Sequence, residues 1–136
     1  MNLITIVTPT YNRARTLPVL YESLCRQSSK NFNWLIIDDG STDNTEQLIK
    51  TFGSPYFEIK YVKKENGGKH TALNYAFGIV DTELTFIVDS DDWLTEDAIS
   101  TIENDWYGRK SLDVCGISYL RGHNEADVIG DMFPKD

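Results

Sequence analysis

An α/β fold with a doubly wound, mostly parallel sheet and helices on both faces is what this sequence predicts. Two observations carry that expectation. Short apolar runs that read as buried strands alternate along the chain with stretches of helical periodicity. The two densest acidic clusters, Asp38-Asp39-Gly40 and Asp89-Ser90-Asp91-Asp92, each follow directly on such a run. Strand, crossover helix and parallel strand connect right-handedly, which covers both faces of the sheet. In open sheets of this kind ligands bind outside the carboxyl ends of the strands. Carboxylates gathered there repel one another unless a cation or hydrogen-bond donors complete the site.

The first strand is Leu3-Ile4-Thr5-Ile6-Val7, closed by Pro9 and the turn-prone Asn12. Leu17, Leu20 and Leu24 then repeat at helical spacing, with Thr16 available as N-cap and Pro18 tolerated in the first turn. Trp34-Leu35-Ile36-Ile37 is the second strand. After it, Asp43-Asn44-Thr45-Glu46 offers a capping box to a helix carrying Leu48, Ile49 and Phe52. Phe57 to Val62 alternates with period two, the pattern of a half-exposed strand near a sheet edge. Asn66-Gly67-Gly68 breaks the chain ahead of a helix carrying Ala72, Leu73, Ala76 and Phe77.

The fourth strand, Leu84 to Val88, runs into the second acidic cluster. A helix N-capped by Thr95 and carrying Ala98, Ile99, Ile102 and Trp106 comes next, and Val114 to Tyr119 is a fifth strand candidate. Arg121 to Asp136 is polar, punctuated by glycine and aperiodic, with no terminal helix or strand expected, so the chain reads as cut rather than finished.

Composition sets the class. With 136 residues, 40% hydrophobic and 25% charged, this is one soluble domain with enough chain to bury a core. A formal net charge of -8 without a Lys/Arg stripe argues against nucleic acid as a partner. Lys60, Lys63, Lys64 and Lys69, interleaved with Glu58 and Glu65, read as a solvated face, with a possible second role reserved for Lys69. Cys25 and Cys115 lack a Cys-x-x-Cys spacing and read as small buried hydrophobes in a reducing compartment. His70 and His123 add no zinc pattern to them. There is no signal-peptide core and no apolar run of membrane-spanning length. A cytoplasmic location is expected, with peripheral association at the inner face of the plasma membrane left to any sequence beyond Asp136.

Each candidate motif has a bland and a functional reading. Asp89, Asp91 and Asp92 give the Asp-x-Asp arrangement suited to Mg²⁺ or Mn²⁺, which one or two carboxylates hold together with substrate phosphates. The same residues equally suit the start of the next helix, where the macrodipole favours acids. Asp38-Asp39-Gly40-Ser41 is either a turn in which Gly40 supplies positive φ or part of a crevice shared with the second cluster. Asn66-Gly67-Gly68-Lys69 is either a helix start or a close backbone approach that brings Lys69 or the helix N-terminus to a phosphate. The spacing fits neither a Walker loop nor a Gly-x-Gly-x-x-Gly fingerprint.

Taken in order, four motifs spanning roughly residues 3 to 95 resemble the family 2 glycosyltransferases. They are Pro9-Thr10-Tyr11-Asn12-Arg13, Asp38 to Asp43, Asn66-Gly67-Gly68 with Ala72 and Asn74, and Asp89-Ser90-Asp91-Asp92. The resemblance implies a GT-A, Rossmann-like fold, a nucleotide-sugar donor (UDP-sugar favoured) and an inverting transfer to a sugar or lipid-linked acceptor in cell-surface polysaccharide assembly. By motif position it places Pro9 and Tyr11 at the nucleobase, Asp39 on uracil, and Asn66, Gly67 and Lys69 along the nucleotide. Asp89 would contact the ribose or sugar, and Asp91 with Asp92 would hold Mn²⁺ or Mg²⁺ on the diphosphate. The general base that the family uses matches no acid after Tyr119, since Glu125, Asp127 and Asp131 fall in the aperiodic tail. Residues 1–136 are accordingly expected to form the nucleotide-sugar-binding domain, ending before the acceptor half and its base.

Two other classes fit less well. A phosphorelay receiver wants its acidic pair after the first strand, where this chain has Thr8-Pro9-Thr10-Tyr11. A sugar nucleotidyltransferase wants a Gly-rich basic loop there instead. A donor-binding module without activity is the remaining alternative.

Overall fold

The computed structural model describes residues 1–119, 121–124 and 127–129. Three apolar runs and the alternating segment between them form one parallel sheet. β1 (Ile4–Thr10), β2 (Phe32–Asp38), β3 (Ile59–Lys63) and β4 (Leu84–Ile87) lie in the order β3-β2-β1-β4. β1 pairs with β2 from Ile4↔Phe32 to Thr10↔Asp38, and with β4 from Ile4↔Leu84 to Val7↔Ile87. Every β1 residue is buried, as a central parallel strand covered on both faces requires. β3 has only half-buried and exposed positions and pairs on one side with β2, as an edge strand does.

Successive β2 residues point to opposite faces, and each face finds its own helix. On one face Ala72 and Ala76 of α3 (Lys69–Ile79) pack against Val7, Leu35 and Ile37. Their small side chains allow the helix to approach the sheet closely. On the other, Trp34 stacks with Tyr21 of α1 (Leu17–Cys25) and with Phe52, just beyond α2 (Thr45–Lys50), at centroid distances of 6.3 and 5.9 Å. The Trp34 Nε1–H donates to Thr8 Oγ1 at 2.9 Å, which satisfies the indole in the core. Truncating so large a buried side chain costs about 3–5 kcal/mol. The expected fold class, with a parallel sheet and helices on both faces, is the observed one.

The order reverses at β1. Two crossovers lead from β1 to β2 and β3 on one side, and the chain then returns to β4 on the other side. The switch point between β1 and β4 is where an open α/β sheet opens a crevice.

Pro9 does not close the first strand; β1 continues through it to Thr10. Val88 N–H donates to Val7 O, and because the ladder groups alternate sides, the next group facing β4 belongs to Pro9, which has no N–H. The β4 ladder therefore stops while β1 runs on against β2, with Asp39 N–H donating to Thr10 O at 2.9 Å.

The helix starts also differ from expectation. Thr16 and Pro18 stand at the start of α1, but the Thr16 hydroxyl makes no cap bond. The capping box before α2 forms only in part. Asp43 Oδ1 accepts from the N–H and hydroxyl of Thr45, while Glu46 pairs with Lys50 and Lys63 instead of reaching back. The Thr95 hydroxyl donates to Asp97, and only its carbonyl meets the first turn of α4 (Ala98–Arg109). Cys25 and Cys115 are exposed rather than buried. In α1 the inward stripe is Leu17, Leu20, Ser23 and Leu24, which turns Cys25 outward.

The chain divides into two compact units, residues 1–101 and 102–136, the boundary falling inside α4. The second unit contains an antiparallel hairpin, β5 (Arg121–Asn124) with β6 (Asp127–Ile129). Strand structure thus forms within the stretch expected to be aperiodic, whereas Val114 to Tyr119 forms none. Gly116 weakens that run, while two short arms close in sequence need only each other as partners. Also in this unit, Tyr119 donates its hydroxyl to Asp105 at 2.9 Å; burial, and then this hydrogen bond, push its pKa up to about 12. Glu125 and Asp131 lie outside the described residues.

Candidate functional site

Three turns at the carboxyl ends of β1, β2 and β3 lock together before any ligand is considered. Asn12, in the left-handed region at φ 52°, accepts the Thr42 N–H (2.8 Å) and the Asp43 N–H (3.2 Å) on its side-chain oxygen. Its own N–H donates to Ser41 Oγ at 2.9 Å. Gly40 adopts φ +82°, and a Cβ there would lie 2.9 Å from Asn66 N, so the β2 and β3 turns meet closer than any side chain permits.

The neighbouring acids Asp38 and Asp39 point to opposite faces and do different work. Asp38 is fully buried and accepts the Ser41 N–H at 2.8 Å and the Tyr61 hydroxyl at 2.5 Å, so it is a turn residue. Burial, then this contact, raises the Tyr61 pKa well above its ordinary value. Asp39 is 5% exposed. Its Oδ1 accepts from Lys64 Nζ and the Gly67 N–H, both at 2.9 Å, and its Oδ2 from the Gly68 N–H at 2.8 Å. Asn66 Nδ2 donates to the Asp39 carbonyl at 2.9 Å and only weakly to Oδ2, at 3.4 Å. Burial alone would push the Asp39 carboxyl up, but Lys64 and the two amides outweigh it and hold the group below the usual carboxylate range.

Across the switch point the chain leaves β4 and turns, Asp92 N–H donating to Asp89 O at 3.0 Å. One carboxylate oxygen from each of Asp89, Asp91 and Asp92 falls within 4.8 Å of the others. α4 begins only at Ala98, so Asp91 and Asp92 lie outside its first turn, and the helix-start reading of this cluster fails. The segment between this turn and α4 is anchored from α1 and the residues just after it. Leu94 N–H donates to Ser23 Oγ at 3.2 Å, while buried Gln27 donates to Thr95 O at 2.6 Å and accepts the Ile99 N–H at 3.1 Å.

Between these walls lies a cleft of about 290 Å³ lined by Pro9, Thr10, Tyr11, Arg13, Asp39, Lys69, Asp89, Ser90 and Asp91. Of the residues singled out from sequence, Pro9, Tyr11, Asp39, Lys69, Asp89 and Asp91 line it together. Asn66 and Gly67 stand behind Asp39 as its donors, and Asp92 completes the acid group. Lys69 begins α3 and reaches across to Asp89 Oδ1 at 2.6 Å. Sequence reasoning missed Lys64, which was assigned to a solvated face but is part-buried and also donates to Glu65 O and Thr71 Oγ1. It further missed Thr10, buried at the cleft with no partner for its Oγ1 among the described residues. The all-oxygen donor set of Asp89, Asp91 and Asp92 fits a hard divalent cation held partly by a ligand's phosphates.

The sequence profile of Glycosyl transferase family 2 matches residues 5–129. The chain belongs to that family. It is 34% identical over 101 residues to Glycosyltransferase GlyG of Streptococcus pneumoniae serotype 4, covering 74% of this chain and 34% of GlyG. It is 33% identical over 130 residues to the Minor teichoic acid biosynthesis protein GgaA of Bacillus subtilis, covering 90% of this chain and 29% of GgaA. Among solved structures, S. aureus TarS 1-349 in complex with UDP superposes with a TM-score of 0.74 at 25% identity, covering 81% of this chain and 33% of that one. The fold is GT-A. The chain spans about a third or less of the length of the curated relatives it matches. Among the described residues no helix is long and apolar enough to cross a membrane.

Proposed function

We propose that this cleft binds a nucleotide-sugar, with a uridine diphosphate sugar as donor, for inverting transfer to an acceptor hydroxyl in cell-surface polysaccharide assembly. The observation that carries the reading is the convergence of Tyr11, Asp39, Lys69 and the Asp89 group on one cleft at the β1–β4 switch point. The UDP complex of the structurally similar TarS and the teichoic acid role in the name of GgaA support the donor and the pathway.

In this reading Pro9 and Tyr11 flank the nucleobase, Asp39 accepts its N–H, and Asn66 and Gly67 hold Asp39 in place. Asp89 meets the ribose or sugar once Lys69 turns to the phosphates. Asp91 and Asp92 would hold Mn²⁺ or Mg²⁺, which supplies charge neutralisation of the departing diphosphate. Lys69 at the start of α3 adds a second cationic group to the same end of the cleft, where the leaving charge develops. The proton of the acceptor hydroxyl goes to a base outside the residues described. The protein acts in the cytoplasm, at the inner membrane face where the acceptor is lipid-linked.

An ionised carboxylate only accepts, so it suits uracil, which has a proton at N3, and repels cytosine, which has a lone pair there. Competition binding is expected to show UDP at least about tenfold tighter than CDP, a gap of roughly 1.4 kcal/mol. Equal affinities would reduce Asp39 to a turn residue and remove uridine from the reading.

A further inference from the structure

We infer that Lys64, by occupying Asp39 Oδ1, is a specificity-determining residue that restricts the nucleobase subsite to bases offering a single N–H and so disfavours guanine. The inference rests on the nucleotide reading above and narrows it.

A carboxylate has about four lone-pair positions, two on each oxygen. At Asp39 both positions on Oδ1 are taken, one by Lys64 Nζ and one by the Gly67 N–H, each at 2.9 Å. One position on Oδ2 is taken by the Gly68 N–H at 2.8 Å. The other faces only the long 3.4 Å contact from Asn66 Nδ2, too weak to hold it against an incoming donor. Asp39 therefore has room for one more hydrogen bond, on one oxygen.

Uracil presents one N–H on its pairing edge. Guanine presents two side by side, N1–H and the exocyclic amine, and pairs best with a carboxylate through both oxygens at once. Here the second oxygen is closed, so the guanine amine would be desolvated without a partner, the situation that discriminates most strongly between ligands.

Two features make the closure firm. Lys64 is itself held by Glu65 O at 2.6 Å and Thr71 Oγ1 at 2.8 Å, and its side chain is only 20% exposed. Gly67 packs directly against the same threonine that holds Lys64, since a Cβ there would lie 2.9 Å from Thr71 Oγ1. Lys64 thus acts through Asp39 as a positioning residue and does not line the cleft itself.

The test is competition binding of UDP, GDP and IDP to the protein in Mn²⁺ buffer. Hypoxanthine matches guanine in size and has N1–H but no amine, so the GDP to IDP ratio reads the second acceptor with base size held constant. The expected result is UDP at least about tenfold tighter than GDP, with IDP no weaker than GDP. In K64M, with Oδ1 opened, GDP should gain on both UDP and IDP by about fivefold or more, while K64R, still a cationic donor, should keep the original order. Melting curves establish that each variant is folded, and the IDP comparison in the unsubstituted protein stands even if K64M is not. GDP binding about tenfold tighter than IDP in the unsubstituted protein, or unchanged ratios in folded K64M, would overturn the inference. Failure of all three nucleotides to bind would overturn the nucleotide reading itself.

Discussion

The ammonium of Lys69 lies 2.6 Å from Asp89 Oδ1, joining the first residue of α3 to the turn after β4 across the mouth of the cleft. Both side chains are substantially exposed, at 56% and 35%, so the pair contributes little to folding. Its significance is positional, because the cation stands beside the acidic group at the place where a diphosphate would lie.

Lys69→Met is expected to change unfolding free energy by less than about 1 kcal/mol while weakening UDP binding by about tenfold. Urea denaturation and calorimetry on the same preparation separate the two. A large stability loss with unchanged binding would make Lys69 a structural clamp.

Tyr61→Phe removes the hydroxyl that donates to the fully buried Asp38 carboxylate. A hydrogen bond to a charged group is worth about 1.5–3 kcal/mol, and its loss here leaves an acceptor in the core short of a partner. The urea midpoint should fall accordingly with the m-value unchanged.

Acid should unfold the protein partly through Asp39 and Asp43, whose carboxyls are held below their ordinary range. For Asp39 burial opposes the charge and the donors outweigh it; for Asp43 burial is likewise outweighed by Thr45 and neighbouring amides. A depressed carboxyl contributes stability that is present above its unfolded pKa, about 4, and lost as pH falls through the folded value. Stability measured from pH 7 to pH 2 should therefore drop below about pH 4, and less steeply in Asp39→Asn. Parallel pH profiles for the two proteins would show that Asp39 takes up no extra proton on unfolding.

Gly40→Ala combines a side chain at φ +82° with a Cβ 2.9 Å from Asn66 N. The strain alone costs about 1–3 kcal/mol, and relief requires the Asn66 turn to withdraw from Asp39. The melting temperature and UDP affinity should fall together. A variant as stable as the unsubstituted protein would mean that the two turns separate freely.

The sheet was legible because β1, β2 and β4 are apolar runs with hardly any competing helical period, and because each ends in turn chemistry. The reach of β1 past Pro9 was not, since proline normally ends a strand and only the short β4 ladder makes its missing N–H harmless. Asp39, Asp89 and Asp91 could be paired in advance because strand ends on one sheet edge share a crevice. Lys64 could not, because nothing in a run of mixed lysines and glutamates says which one folds inward. That choice is made by Gly40, which lets the β2 turn meet Asn66 and the Lys64 backbone, and by Asp39, which accepts the Lys64 ammonium. The hairpin at Arg121–Ile129 was hidden for a related reason, its two arms being too short to show a period.

The proposed donor site pairs a uridine diphosphate with a divalent cation on Asp91 and Asp92. Calorimetric titration of UDP in Mn²⁺ and in chelator, on the unsubstituted protein and on Asp91→Asn, tests it most directly. Binding should be measurable in Mn²⁺ and much weaker in chelator, and Asp91→Asn should lose roughly 1–3 kcal/mol in the Mn²⁺ condition alone. Equal UDP affinity with and without Mn²⁺, or an Asp91→Asn variant that binds as tightly as the unsubstituted protein, would contradict it.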